Sequence, residues 1–211
     1  MRRAWFLAIG LVAASLALSA CHSGNSGGPK VAVNGDSITV AAVWPINNTL
    51  APADYVHVHA QGGLTIAQTL PELQTMLTDP EGTPNDVIVE SGTNDVFQRD
   101  TTWQAALDTE VGMLASTQCV IFVNVSSYAD WFGDQMGLPP LVPGVNAAIA
   151  HAVSKNPHFH LLDWDSFIKQ PGNFEAYITQ GPAGLAVHPN GAGRQVLANM
   201  EQQALQEDCG S

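Results

Sequence analysis

Short apolar runs alternate along the chain with stretches in which apolar residues recur every three or four positions. Residues 30–34, with Val31, Ala32 and Val33 in an unbroken run, read as a strand that stops at Gly35. Residues 55–60 alternate, Val56 and Val58 on one side and His57 and His59 on the other, which is strand periodicity with one polar face. Ile66, Leu70, Leu73 and Leu77 repeat at helical spacing over residues 65–77. Residues 86–90 and 119–125 are buried-strand candidates, separated by a helix over 102–116 that carries Trp103, Ala106, Leu107, Val111 and Leu114. A helix over 145–153, a strand over 158–162 and a closing helix over 191–206 complete the pattern.

Strands that alternate with helices predict an α/β fold, a parallel sheet covered on both faces. In such folds, sites collect where loops leave the carboxyl ends of the strands. Three polar motifs stand in loops of that kind: Gly35-Asp36-Ser37, Gly92-Thr93-Asn94-Asp95 and His188-Pro189-Asn190-Gly191. Between them they offer a hydroxyl nucleophile, a side-chain amide donor and an imidazole base, the parts needed for acyl transfer through a covalent ester. Gly62-Gly63, after the second strand, adds a backbone N–H with no side chain in the way. The expected roles are Ser37 as nucleophile, His188 as base, and the N–H groups of Ser37 and Gly63 with the Asn94 amide as the oxyanion hole.

Length and composition narrow the setting. The chain has 211 residues, enough for one α/β domain. Its first twenty residues stand apart: Arg2 and Arg3, then the apolar stretch Trp5 to Ala20, read as a secretory signal. Leu18-Ser19-Ala20-Cys21 resembles the lipobox of bacterial lipoproteins, which implies cleavage before Cys21 and lipid on its sulfur. The expected organisation is a signal peptide over 1–20, lipidated Cys21 with a Gly/Ser-rich tether to residue 29, and a domain over 30–211. With Arg2 and Arg3 gone, five of the seven basic residues face nineteen acidic ones, and the net charge moves from −12 to −14. Phosphate backbones repel such a surface, which excludes nucleic acid as the expected partner. Export and lipid anchorage predict a location on the bacterial membrane, facing the envelope or exterior.

The ordered motifs resemble those of the SGNH hydrolases, also called the GDSL esterase/lipase family. Gly35-Asp36-Ser37-Ile38 looks like the first block, with Ile38 where Leu is usual. Gly63, within Gln61-Gly62-Gly63-Leu64-Thr65, looks like the second, Gly92-Thr93-Asn94-Asp95 the third, and His188 with Pro189-Asn190-Gly191 the fifth. The resemblance covers the chain from about Lys30 to its end. It implies a three-layer α/β/α sandwich with five parallel strands in flavodoxin-like order 2-1-3-4-5, and ester hydrolysis or acyl transfer on a small ester or an acylated envelope substrate. It implies no metal and no organic cofactor.

One position departs from the family. Asp usually stands three residues before the His, and here that place is Leu185. A backbone carbonyl near Leu185 can orient His188, or another carboxylate can, with Asp163, Asp165 and Glu175 as the possible replacement acids. The third option is a catalytically weak or inactive lipoprotein that binds glycans or acylated polymers in the same cleft. Asp36 and Asp95 are expected to brace their own loops by accepting backbone N–H bonds. Trp131-Phe132, past the fourth strand, suit either an acyl chain or a sugar, or else the packing of their own loop. His57-x-His59 and His158-x-His160 fall on opposite edges of a 2-1-3-4-5 sheet, so they do not combine into a metal site. Direction along the sheet also brings Cys209, at the end of the closing helix, to the edge where Cys119 starts the fourth strand, which predicts a disulfide. Lys30 lies at that same edge, so the lipid is expected to tether the end away from Ser37.

Overall fold

The structure is a computed structural model that describes residues 29–50, 55–79, 83–179 and 187–211. The expected leader, Cys21, nearly all of the tether and Leu185 lie outside the described residues. Five strands, β1 (Lys30–Gly35), β2 (Tyr55–Ala60), β3 (Asp86–Glu90), β4 (Cys119–Val123) and β5 (Phe159–Leu162), form one sheet in the order β2-β1-β3-β4-β5. Every pairing is parallel. Central strands β3 and β4 are buried at every position, whereas edge strand β2 is half-buried throughout. That difference is why β3 and β4 read as unbroken apolar runs and β2 as an alternation.

The helices are α1 (Ser37–Leu50), α2 (Ile66–Leu77), α3 (Thr93–Gln98), α4 (Trp103–Leu114), α5 (Trp131–Gln135), α6 (Val142–Lys155), α7 (Trp164–Ile168), α8 (Asn173–Tyr177) and α9 (Gly191–Ala204). On one face of the sheet Ala32, Val87, Val89, Val120 and Phe122 pack against α2, α4 and α6. On the other, Val31, Val33, Ile88, Ile121 and Val123 pack against α1, α7 and α9. The result is the three-layer α/β/α sandwich.

Some elements escape the apolar pattern. Helix α1 carries β-branched residues and Pro45, which weaken helix propensity. It forms because Ile38, Ala42, Ile46 and Leu50 bury one stripe against the sheet and α9. Strand β4 stops at Val123, two residues short of expectation, because Asn124 and Val125 turn into the loop. Helix α6 starts three residues early, with Pro143 inside its first turn, where a missing N–H costs nothing. The expected bridge is present: Cys119 and Cys209 form a disulfide with Cα atoms 5.6 Å apart, 90 residues apart in sequence. No helix among the described residues is long and apolar enough to cross a membrane.

Candidate active site

The chain leaves β1 at Gly35, turns at Asp36 and enters α1 at Ser37. The turn is clamped to β3 at two points. Asp36 N–H donates to the Glu90 backbone oxygen at 3.2 Å, and the Thr39 hydroxyl donates to the Glu90 carboxylate. Thr39 Oγ1 lies 1.8 Å from where a Cβ on Gly35 would stand, so only glycine allows α1 to seat this close. Asp36 Oδ1 accepts Ile38 N–H at 2.9 Å, which caps the helix that presents Ser37.

His188 stands in the loop before α9. Its backbone oxygen accepts Thr179 N–H at 2.9 Å, and Ile178 and Pro189 make an isolated antiparallel bridge. Asn190 caps α9 by accepting the N–H groups of Ala192 and Gly193, both at 3.0 Å, while its own amide donates to the Ala176 carbonyl at 2.9 Å. Gly193 backs onto the Tyr177 carbonyl, 2.0 Å from where its Cβ would be. The Pro-Asn-Gly-Ala-Gly run is therefore the anchor of the histidine loop. So held, His188 Nε2 lies 2.9 Å from Ser37 Oγ, across 151 residues of sequence.

Of the residues expected as oxyanion donors, Asn94 lines the same cleft as this pair, and Gly63 belongs to a loop beside Ser37. The Cβ position of Gly62 is 3.7 Å from Ser37 Cβ, which puts the Gly62-Gly63 loop against the nucleophile. Gln98 Nε2 donates to the Gly63 carbonyl at 2.7 Å and fixes that loop. Asn94 Nδ2 donates to Asp36 Oδ2 at 3.2 Å, so one amide hydrogen is used to orient the group and the other is left for an oxyanion. Asp95 Oδ2 accepts Ile66 N–H at 2.9 Å and ties the Asn94 loop to the start of α2. Ser37, Thr93, Asn94, Phe97, Val187 and His188 line a single cleft of about 240 Å³.

Both aspartates do brace loops, as their motifs suggested. The contacts from Asp36 to Asn94 and from Gln98 to Gly63 carried no sequence signal, because each joins residues from separate loops. Asp36 is pushed up to about 7, chiefly by burial and further by the charge of Asp95, against the lowering effect of its bonds from Ile38 and Asn94. Asp95 is raised to about 6, again mainly by burial.

The remaining candidates have visible occupations. Asp163 Oδ1 accepts Asn124 Nδ2 at 2.7 Å and Ser166 N–H at 3.0 Å. Partial burial pushes Asp163 up, but the bonds from Ser166 and Asn124 and the charge of Lys169 outweigh it and leave the group below its ordinary value. Asp165 accepts Ser127 N–H and Lys169 Nζ, both at 2.6 Å. Glu175 is exposed on α8. Among the described residues, the aromatic that lines the cleft is Phe97, while Trp131 is exposed at the start of α5. His57 and His59 face α2, at 3.4 Å from Asp79 and 3.0 Å from Glu72, on the sheet edge opposite His160.

Among solved structures, the chain is similar to the catalytic domain of peptidoglycan O-acetyltransferase A from Streptococcus pneumoniae, with a TM-score of 0.67 and 20% identity over 87% of this chain and 96% of that one. The fold is that of the SGNH hydrolases. A lipase/acylhydrolase from Enterococcus faecalis superposes with a TM-score of 0.62 at 17% identity, over 84% of this chain and 95% of the other. An acetylxylan esterase from Geobacillus stearothermophilus gives 0.57 at 16% identity, over 84% and 94%. No protein-family model matches the sequence, and no curated protein matches it either.

Proposed function

We propose that the chain is a serine ester hydrolase or acyl transferase with an SGNH-type site. The observation that carries this is the contact of 2.9 Å between Ser37 Oγ and His188 Nε2, made by two residues that the fold brings from opposite ends of the domain. His188 takes the Ser37 proton as Oγ attacks the ester carbonyl. The Ser37 and Gly63 N–H groups and the Asn94 amide meet the charge that develops on the carbonyl oxygen. His188 then returns the proton to the departing alcohol, which leaves an acyl-Ser37 ester. Water completes hydrolysis, and an acceptor hydroxyl in its place completes transfer. No step calls for a metal or organic cofactor.

A cleft of about 240 Å³ suits a short acyl group, and two of the similar proteins are by name an O-acetyltransferase and an acetylxylan esterase. We further propose that Cys21 carries a lipid after removal of residues 1–20 and anchors the domain to the membrane. Strand β1 separates Lys30 from the Ser37 turn by six residues, about 20 Å of extended chain. The tether therefore joins the edge away from the cleft, and the site faces envelope polymers or diffusible esters. Binding without turnover, the alternative, gives no reason for Ser37 and His188 to touch.

Turnover of 4-nitrophenyl acetate tests the proposal. The wild type is expected to hydrolyse it, with kcat falling about 10³-fold or more in Ser37→Ala at unchanged thermal unfolding. Equal rates in the two proteins would overturn the assignment of Ser37.

A further inference from the structure

The short segment from Asp36 to Thr39, which contains Ser37, is tied at both ends to one residue of the neighbouring strand. Upstream of Ser37, Asp36 N–H donates to the Glu90 backbone oxygen at 3.2 Å. Downstream, the Thr39 hydroxyl donates to Glu90 Oε2. All three residues are buried. Two further bonds, from Ile38 N–H to Asp36 Oδ1 and from Val40 N–H to the Asp36 carbonyl, are internal to the turn. They shape it but do not set where it stands against β3. The Asn94 amide reaches Asp36, again upstream of Ser37. Thr39–Glu90 is thus the bond that joins the first turn of α1 to the sheet on the downstream side.

Glu90 stands at a fixed point of the fold. Its neighbour Ser91 donates to buried Glu110 of α4, 3.2 and 3.3 Å from the two carboxylate oxygens, on the face of the sheet opposite α1. Gly92, Thr93 and then Asn94 follow directly, and Asn94 lines the cleft with Ser37. The grip on the nucleophile turn and the loop of the amide donor therefore share one strand end. Apolar residues of the same shape at positions 39 and 90 would serve stability about as well as this buried polar pair. What they would lose is a bond of set length and direction. His188 Nε2 lies 2.9 Å from Ser37 Oγ, and a misplacement of about 1 Å in such a contact can cost about 10²-fold in rate.

We infer that Glu90 is a positioning residue for the nucleophile: through Thr39 it fixes the first turn of α1, so that Ser37 Oγ stays within reach of His188 and in register with Asn94. The inference rests on the proposed ester chemistry and adds to it a residue that does not touch the reacting atoms.

The test has a kinetic and an exchange arm. Thr39→Val removes the hydroxyl and keeps the β-branched shape, whereas Thr39→Ser keeps the hydroxyl. Glu90→Gln keeps an acceptor in the shape of the neutral acid, the form that burial and the charges of Glu201 and Asp36 favour at this position. With 4-nitrophenyl acetate, kcat in Thr39→Val should fall about tenfold or more at nearly constant KM, while Thr39→Ser and Glu90→Gln stay within about threefold of wild type. Wild-type kcat in Thr39→Val, or a loss in Thr39→Ser as large as that in Thr39→Val, would overturn the role. In the second arm, amide hydrogen exchange of the whole protein is followed by NMR. Asp36 N–H should exchange about tenfold or more faster in Thr39→Val than in Thr39→Ser, with Ile88 N–H of β3 unchanged. Equal exchange at Asp36 in the two variants would overturn the grip. Thr39→Ala, which adds no volume, takes the place of Thr39→Val in both arms if the valine variant fails to fold. Absence of wild-type turnover is the separate failure, that of the ester chemistry, and the exchange arm then still decides whether Thr39 and Glu90 hold the turn.

Discussion

At the scale of single residues, the proposed chemistry depends on preorganised donors around one hydroxyl. Asn94 is held by Asp36, and the Gly63 loop by Gln98, before any substrate is present. Replacing Asn94 by Ala is expected to lower kcat by about 10²–10³ with a small change in KM, because the lost bond strengthens only as the oxyanion forms. An Asn94→Ala variant within threefold of wild type in steady-state esterase assays would remove Asn94 from the oxyanion hole. Ser37, Gly63 and Asn94 stood out in the sequence because each follows a strand and a glycine, and His188 because of the Pro-Asn-Gly run after it that opens α9. Phe97 and Gln98 did not. Their importance comes from what lies across a loop, and no periodicity along the chain records that.

At the scale of elements, all five strands were legible from their apolar runs, and the long amphipathic helices from their spacing. Helix α1 was hidden by Pro45 and its β-branched residues, and α3, α7 and α8 by being too short to show a period. Equally hidden was a set of buried carboxyls between layers. Glu201 on α9 is fully buried, with neither carboxylate oxygen hydrogen-bonded among the described residues, and Glu90 at the end of β3 is buried near it. Burial raises Glu201 to about 8 and Glu110 to about 8, and it holds Glu90 well above the usual range, with the charges of Glu201 and Asp36 adding to the effect. These groups bind protons more tightly folded than unfolded. The stability they contribute is complete below the ordinary carboxylate range near 4 and is lost as pH rises through about 8. Tm is therefore expected to be highest in mild acid and to fall between pH 5 and 9, with a shallower fall in Glu201→Gln. Scanning calorimetry across that range checks this, and a Tm that rises toward pH 9 would contradict it.

At the scale of the molecule, the parallel sheet sorts function by edge. The Ser37 and Asn94 loops leave the carboxyl ends of β1 and β3 and meet the His188 segment between α8 and α9, while Lys30 and the Cys119–Cys209 bridge sit at the amino end. The bridge closes a loop of about ninety residues and should stabilise the fold by about 4–5 kcal/mol in the chain-entropy model. Urea unfolding with and without reductant measures this, and matching midpoints would refute a stabilising role. The bridge was legible from the direction of α9 against β4. Anchorage through Cys21 predicts that Cys21→Ser moves the protein from the membrane fraction to the soluble one on cell fractionation, and a protein that stays in the membrane fraction would argue against the lipid.

The central claim is that Ser37 is a nucleophile activated by His188, in a chain that carries Leu185 where an acid is usual. Fluorophosphonate labelling of the folded domain, with the adduct mapped by mass spectrometry, tests this most directly. The account predicts one adduct, on Ser37, absent in Ser37→Ala and strongly slowed in His188→Ala. A folded wild-type protein that takes no label at Ser37 would contradict it.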